Sequence, residues 1–187
     1  MTNNKKRTNG LLTKIKRSLI PCIKGIKNIQ RKIYETTYIR YLDHKYQRQI
    51  KKEMLTNKHI QAIEKEIDAF TYSPKISVVM PVYNVEEQWL INAITSVSNQ
   101  LYKNWELCIA DDASQNTGIQ DILTKYQNRD DRIKVLFLER NLGISGSSNS
   151  ALSLATGDYV AFLDHDDELS KNCLYEVVKF LNKHPEA

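Results

Sequence analysis

The sequence has no run of 18 uninterrupted apolar residues, so it predicts no membrane-spanning helix. Its N-terminus is basic but has neither a continuous apolar core nor a small-residue cleavage site, which argues against a secretory signal. Three cysteines, Cys22, Cys108 and Cys173, are too few and too scattered for a disulfide framework or a zinc site. Cys108 falls in an apolar strand pattern and Cys173 in a helical one. Both read as reduced side chains packed like small hydrophobes, which sets the expectation of a reducing, cytoplasmic compartment. Neither G-x-G-x-x-G nor G-x-x-x-x-G-K-S/T occurs, so the dinucleotide and P-loop fingerprints are absent. No Ser-His-Asp or Cys-His arrangement stands out in the spacing.

What is present divides in two. The 187 residues suffice for one ordinary domain plus an appendage. Residues 1–73 hold 17 Lys and Arg against 6 Asp and Glu, a net +11; residues 74–187 hold 10 against 16, a net −6. A split of this size marks two pieces with different tasks. The break is expected near Ser73-Pro74, because proline disfavours helix at the residue before it. Residues 1–73 are therefore read as a basic, mostly helical extension and residues 74–187 as a separate domain.

Within 74–187 the periodicity alternates. Ile76–Met80 is a short apolar strand, and Leu90, Ile91, Ile94, Val97 and Leu101 mark a helix over 86–100. Trp105–Ala110 is a second strand. Ile119, Ile122, Leu123 and Tyr126 form the inner face of a helix over 118–128. Ile133–Leu138 is a third strand, 144–155 a helix rich in small residues, and Tyr159–Leu163 a fourth strand. A last helix, capped by Ser170, carries Leu174, Val177, Val178 and Leu181. Strands alternating with helices imply parallel pairing through right-handed crossovers. The fold class expected is α/β: a doubly wound, mainly parallel, Rossmann-like sheet of about four strands, apolar throughout and covered by helices on both faces.

Ligands of such sheets bind beyond the carboxyl ends of the strands. Strand one ends in Pro81-Val82-Tyr83-Asn84, strand two in Asp111-Asp112-Ala113-Ser114, and strand three in Glu139-Arg140-Asn141-Leu142-Gly143. Strand four ends in Asp164-His165-Asp166-Asp167. Three carboxylates in four positions repel one another unless a cation sits between them, and oxygen ligands suit Mg²⁺ or Mn²⁺, ions that commonly hold a phosphate too. A solvated turn whose acids favour the next helix N-terminus is the plainer alternative. Tyr83 packing, an Asp111-Asp112 turn and an Asn141-Leu142-Gly143 turn are the corresponding alternatives elsewhere. His165 reads as oriented by its neighbours rather than as a ligand. The joint occurrence of an aromatic face, carboxylates and metal ligands at the strand ends favours a nucleotide.

The chain resembles family 2 glycosyltransferases, the inverting nucleotide-sugar enzymes of the A-type glycosyltransferase fold. The matching residues are Ser77–Asn84, Asp111–Ser114, Asn141–Gly146 and Gly157–Asp167, across about residues 75–186. The resemblance implies that Pro81, Tyr83, Asn84 and Gly143 line a nucleotide pocket. It implies that Asp112 accepts a hydrogen bond from uracil or thymine, with Asp111 supporting the loop. Asp164-His165-Asp166 matches the family's D-x-D, with Asp166 on a Mn²⁺ or Mg²⁺ ion and Asp164 on the ribose or the same ion. The implied donor is a UDP- or dTDP-sugar and the implied acceptor a saccharide or lipid-linked saccharide in cell-envelope polysaccharide synthesis, by a hexosyl- or rhamnosyl-transferase type of reaction. Ser148 stands where many relatives carry arginine. The general base of an inverting reaction is expected beyond Ala187, so the chain reads as a donor-binding portion; a truncated, non-catalytic nucleotide-binding or membrane-docking module is the alternative. A response-regulator receiver fails, because strand one ends in Pro-Val-Tyr-Asn and no fifth strand follows.

In the basic piece, Leu12, Ile15, Leu19, Ile23, Ile26 and Ile33 recur at helical spacing over 11–33, interrupted by Pro21 and Gly25. A basic amphipathic helix can lie peripherally on an anionic membrane or pack on protein. Residues 34–70 read as one or two further helices with a coiled-coil or spacer role. No nucleic-acid-binding module is recognised, so nucleic acid is not expected as a partner.

Overall fold

The computed structural model describes residues 55–186. The expected helix over 11–33, the segment before Leu55 and Cys22 lie outside the described residues. The elements are α1 (Asn57–Asp68), β1 (Ile76–Val82), α2 (Glu87–Ser98), β2 (Trp105–Asp111), α3 (Thr117–Gln127), β3 (Ile133–Phe137), α4 (Gly143–Leu152), β4 (Tyr159–Phe162) and α5 (Cys173–Lys183). Among the described residues no helix is long and apolar enough to cross a membrane.

The four strands form one sheet in the order β3-β2-β1-β4, every pair parallel. Side-chain parity sorts the core. Val79, Cys108 and Ala110 face α4, where they pack with Ala151 and meet Leu154 and Ala155. Right-handed crossovers place α2 and α3 on the other face, which receives Val78, Met80, Leu107 and Ile109, all fully buried. Burial raises the Cys108 thiol to about 11, as expected of an inert, packed side chain.

Two sequence expectations need correction. Only β1 and β2 are buried at every position; β3 and β4 are partly open. The reason is placement at the sheet margins: Val160 and Phe162 of β4 share the α4 face, yet α4 lies over β1 and β2, and Phe162 stays 67% exposed. Ser170 does not cap α5. The cap position is Asn172, and Ser170 instead offers its carbonyl to the Cys173 amide at 2.9 Å. Helix α1 lies before the break in composition but packs with the α/β unit: Tyr175 of α5 donates to Glu66 at 2.7 Å, and Lys179 approaches the same carboxylate at 3.1 Å.

A polar hub ties the strand beginnings together. Glu106, second in β2 and 1% exposed, accepts from Ser77 of β1 at 2.7 Å and from the Thr156 amide at 2.5 Å. Lys75, just before β1, reaches it at 2.6 Å, and Lys134 of β3 at 2.9 Å. Burial pushes this carboxyl up, but the lysines, Ser77 and Thr156 outweigh it and hold it well below the usual carboxylate range. Gly157 completes the hub. Its amide donates to Ser77 Oγ at 2.9 Å, and a Cβ there would meet the Lys75 carbonyl oxygen at 2.6 Å. One carboxylate thus joins all four strand starts, directly or through the turn into β4.

Glu106→Gln is expected to lower stability by about 2–3 kcal/mol, less than for a fully buried pair because Lys75 and Lys134 remain 35% and 34% exposed. The depressed Glu106 pKa contributes stability that is complete above the ordinary carboxyl value of 4.5 and is lost as pH falls below it. Urea unfolding from pH 7 to pH 2 should therefore show a steeper acid decline for wild type than for the variant. Gly157→Ala should cost about 1–3 kcal/mol through the clash with the Lys75 backbone, measured by the same titration at pH 7.

Candidate functional site: the carboxyl ends of β1, β2 and β4

The crossovers that leave β1 and enter β4 run over opposite faces, so a crevice opens where these neighbouring strands end. A cavity of about 400 Å³ lies there. Its walls are Pro81, Val82 and Tyr83 from the end of β1, Asp112 after β2, and Asn141, Gly143, Ile144 and Ser147 at the start of α4. Asp164, His165 and Asp166 after β4 close it. Pro81, Tyr83, Asp112, Gly143, Asp164 and Asp166, each singled out from the sequence, meet in this one hollow.

Two other residues singled out from the sequence are placed elsewhere. Asn84 is not among the lining residues. Its φ is +46°, its amide donates to Ser114 Oγ at 3.0 Å, and its Oδ1 accepts from the Gln115 amide at 2.9 Å. This reciprocal pair buckles the β1 loop to the β2 loop, where Ala113 also sits in the left-handed region at φ +59°. Asp111 is 1% exposed, lies outside the cavity lining, and has no hydrogen-bond partner for either carboxylate oxygen among the described residues. Asp112 keeps the parity of Ala110 and turns toward the start of α4, whereas Asp111 keeps that of Ile109 and turns toward the opposite face.

Asp112 is 2% exposed, and its Oδ1 accepts from the Leu142 amide at 2.7 Å. That bond fixes the turn into α4 and leaves the other oxygen available to the cavity. Gly143 adopts φ +74°, which glycine accommodates without strain, and a Cβ there would meet nothing within 4 Å. Tyr83 keeps 42% of its surface exposed at the rim. Val82, Asn141, Ile144 and Ser147 were not singled out as lining residues. Ser147 is buried and donates to the Ala110 carbonyl at 3.1 Å, so it lets α4 approach β2 closely. Its signal was the small-residue texture of the helix.

The acidic turn divides between two hollows. Asp167 is not with Asp164 and Asp166; it lines a neighbouring space of about 480 Å³ with Phe162, Leu163, Asp164, Glu168 and Leu169. Asp164 borders both. Among the described residues no group of three or more His, Cys, Asp or Glu side chains could hold a metal ion alone. Asp164 and Asp166 nevertheless present two exposed carboxylates to one cavity. Mg²⁺ and similar hard ions commonly take one or two carboxylates and fill the remaining positions with phosphate and water. The donor set fits such an ion in the company of a diphosphate.

Residues 77–187 match the family profile described as Glycosyl transferase family 2. A protein of Sinorhizobium fredii, y4gI, is 46% identical over 61% of this chain and 12% of its own length. The putative teichuronic acid biosynthesis glycosyltransferase TuaG of Bacillus subtilis is 40% identical over 59% of this chain and 43% of its own length. Among solved structures, S. aureus TarS residues 1–349 in complex with UDP-GlcNAc superposes with a TM-score of 0.54 at 33% identity, covering 59% of this chain and 32% of that one. The chain thus spans less than half the length of these relatives.

A buried carboxylate without donors is costly, so Asp111→Asn is expected to raise stability by about 1–3 kcal/mol. Differential scanning calorimetry should show a higher unfolding midpoint. A lower midpoint would mean that the folded protein supplies Asp111 with a donor.

Proposed function

This chain belongs to glycosyl transferase family 2, and from that membership we propose that the cavity at the strand ends binds the nucleotide of a nucleoside-diphosphate sugar. The sugar is then passed, with inversion, to a saccharide or lipid-linked acceptor in cell-surface polysaccharide synthesis. The observation that carries this reading is that Tyr83, Asp112, Asp164 and Asp166, contributed by three separate strand ends, line one hollow. The UDP-GlcNAc complex of TarS supports a uridine nucleotide as donor, and the naming of TuaG supports a polysaccharide product.

The roles follow from chemistry. The Tyr83 ring offers a face on which a base can stack. Asp112 has one oxygen committed to Leu142, and its second accepts from the imide N–H of uracil or thymine. Gly143 leaves open space where the phosphate-bearing part of the ligand passes. Asp164 and Asp166 would hold Mn²⁺ or Mg²⁺, and the ion would supply Lewis-acid neutralisation of the diphosphate charge. In the transfer, the acceptor oxygen forms a bond to the anomeric carbon as the bond from that carbon to the diphosphate oxygen breaks. The electron pair leaves with the diphosphate, and the acceptor's proton goes to a carboxylate base. No described residue is assigned that last role.

Isothermal titration of the chain with UDP-GlcNAc, dTDP-glucose and GDP-mannose, in Mn²⁺ and in EDTA, tests the reading. Metal-dependent binding of a uridine or thymidine sugar nucleotide is expected. Asp112→Asn should weaken it about tenfold or more, as loss of a charge-assisted hydrogen bond does. Asp166→Asn should remove the difference between Mn²⁺ and EDTA. Absence of binding to every donor, or binding indifferent to both substitutions, overturns the assignment.

A further inference from the structure

His165 stands between two carboxylates, yet its ring turns toward the sheet: Nδ1 lies 3.0 Å from the carbonyl oxygen of Pro81. A carbonyl only accepts, so Nδ1 carries the hydrogen, and in the neutral ring Nε2 keeps its lone pair. The place of this bond matters. β1 and β4 are paired from Ile76↔Tyr159 to Val79↔Phe162, and the Leu163 amide makes one more bond to the Val79 carbonyl at 3.0 Å. There the ladder ends. β1 runs on to Val82 beside β2, while the chain after Leu163 leaves the sheet in a turn closed by the Asp167 amide on the Asp164 carbonyl at 3.2 Å. The imidazole reaches back across this gap, two residues beyond the Leu163–Val79 bond on both segments, and takes the place of a ladder bond.

The two segments it joins both line one cavity. Pro81 begins the wall that carries Tyr83, and His165 separates Asp164 from Asp166. The turn is otherwise anchored at its two ends: at its start by the Leu163 amide on Val79, and past its end by Glu168, which accepts from Asn92 at 3.2 Å, and by the Leu169 amide, which donates to Ser96 Oγ at 3.0 Å; the ring ties its middle to β1. We infer that His165 is a positioning residue: its Nδ1–H bond to Pro81 sets the distance between the metal-binding carboxylates and the wall that holds the base. The inference deepens the proposed function and rests on it for the ligand, though the bridge itself can be read without any ligand.

The test uses the full chain and three variants. The carboxamide N–H of asparagine can occupy the place of Nδ1, and that of glutamine the place of Nε2. His165→Ala is expected to weaken Mn²⁺-dependent UDP binding about tenfold, while affinity in EDTA stays unchanged. His165→Asn should recover affinity to within about threefold, and His165→Gln should not. Without nucleotide, ¹⁵N NMR of wild type should show the Nδ1–H tautomer. Amide exchange at Asp167 should quicken in His165→Ala and slow again in His165→Asn. Recovery by glutamine rather than asparagine, an Nε2–H tautomer, or unaltered Asp167 exchange in His165→Ala each overturns the inference. Failure of wild type to bind any sugar nucleotide defeats the functional reading instead, and the tautomer and exchange results then decide the bridge alone.

Discussion

A single buried carboxylate sets the frame on which this α/β unit depends. Glu106 gathers Lys75, Ser77, Lys134 and the Thr156 amide at the beginning of the sheet. An ionised group so deep in the protein is tolerable only when its lone pairs are filled, and here they are. Because the contacts come from the start of β1, from β3 and from the turn into β4, the hub fixes strand register at one end. Register, once fixed, dictates which residues emerge at the other end. The crevice that collects Tyr83, Asp112 and Asp164 is therefore a consequence of polar contacts a full strand length away.

The two ends of the sheet use polarity differently. At the hub every charge is answered, so it stabilises one arrangement. At the crevice Asp164 and Asp166 stand exposed and share a cavity with a third carboxylate, Asp112. Left-handed backbone at Asn84 and Ala113 is likewise confined to the crevice end. Strain and unneutralised charge cluster where a ligand of opposite charge distribution can relieve them.

The elements were readable because hydrophobic period changes cleanly from strand to helix. Val78, Val79, Leu107 and Ile109 announce buried strands, and Leu90, Ile94 and Val97 a helix packed on one side. The strand-end rule then pointed to the segments that carry Tyr83, Asp112, Asp164 and Asp166, and the family resemblance implied Pro81 and Gly143 as well. What escaped was direction. Asp111 and Asp112 are chemically identical neighbours, and residue type does not say which of them lines the crevice. The family resemblance implied that Asn84 lines the nucleotide pocket, whereas its side chain answers Gln115, 31 positions away. Glu106 sat unremarked in an apolar strand, since its lysines are distant in sequence. The open flank of β4 was hidden because apolar composition cannot tell a central strand from a marginal one.

The buckle between the loops after β1 and β2 carries an evolutionary corollary. Asn84 and the Ser114–Gln115 pair hold each other's conformation through two hydrogen bonds, so neither loop can drift independently. Tyr83 and Asp112, which flank that joint, inherit its fixity. Reshaping either loop would then demand concerted replacement across both segments, making positions 84 and 114 a covarying couple rather than two independent sites.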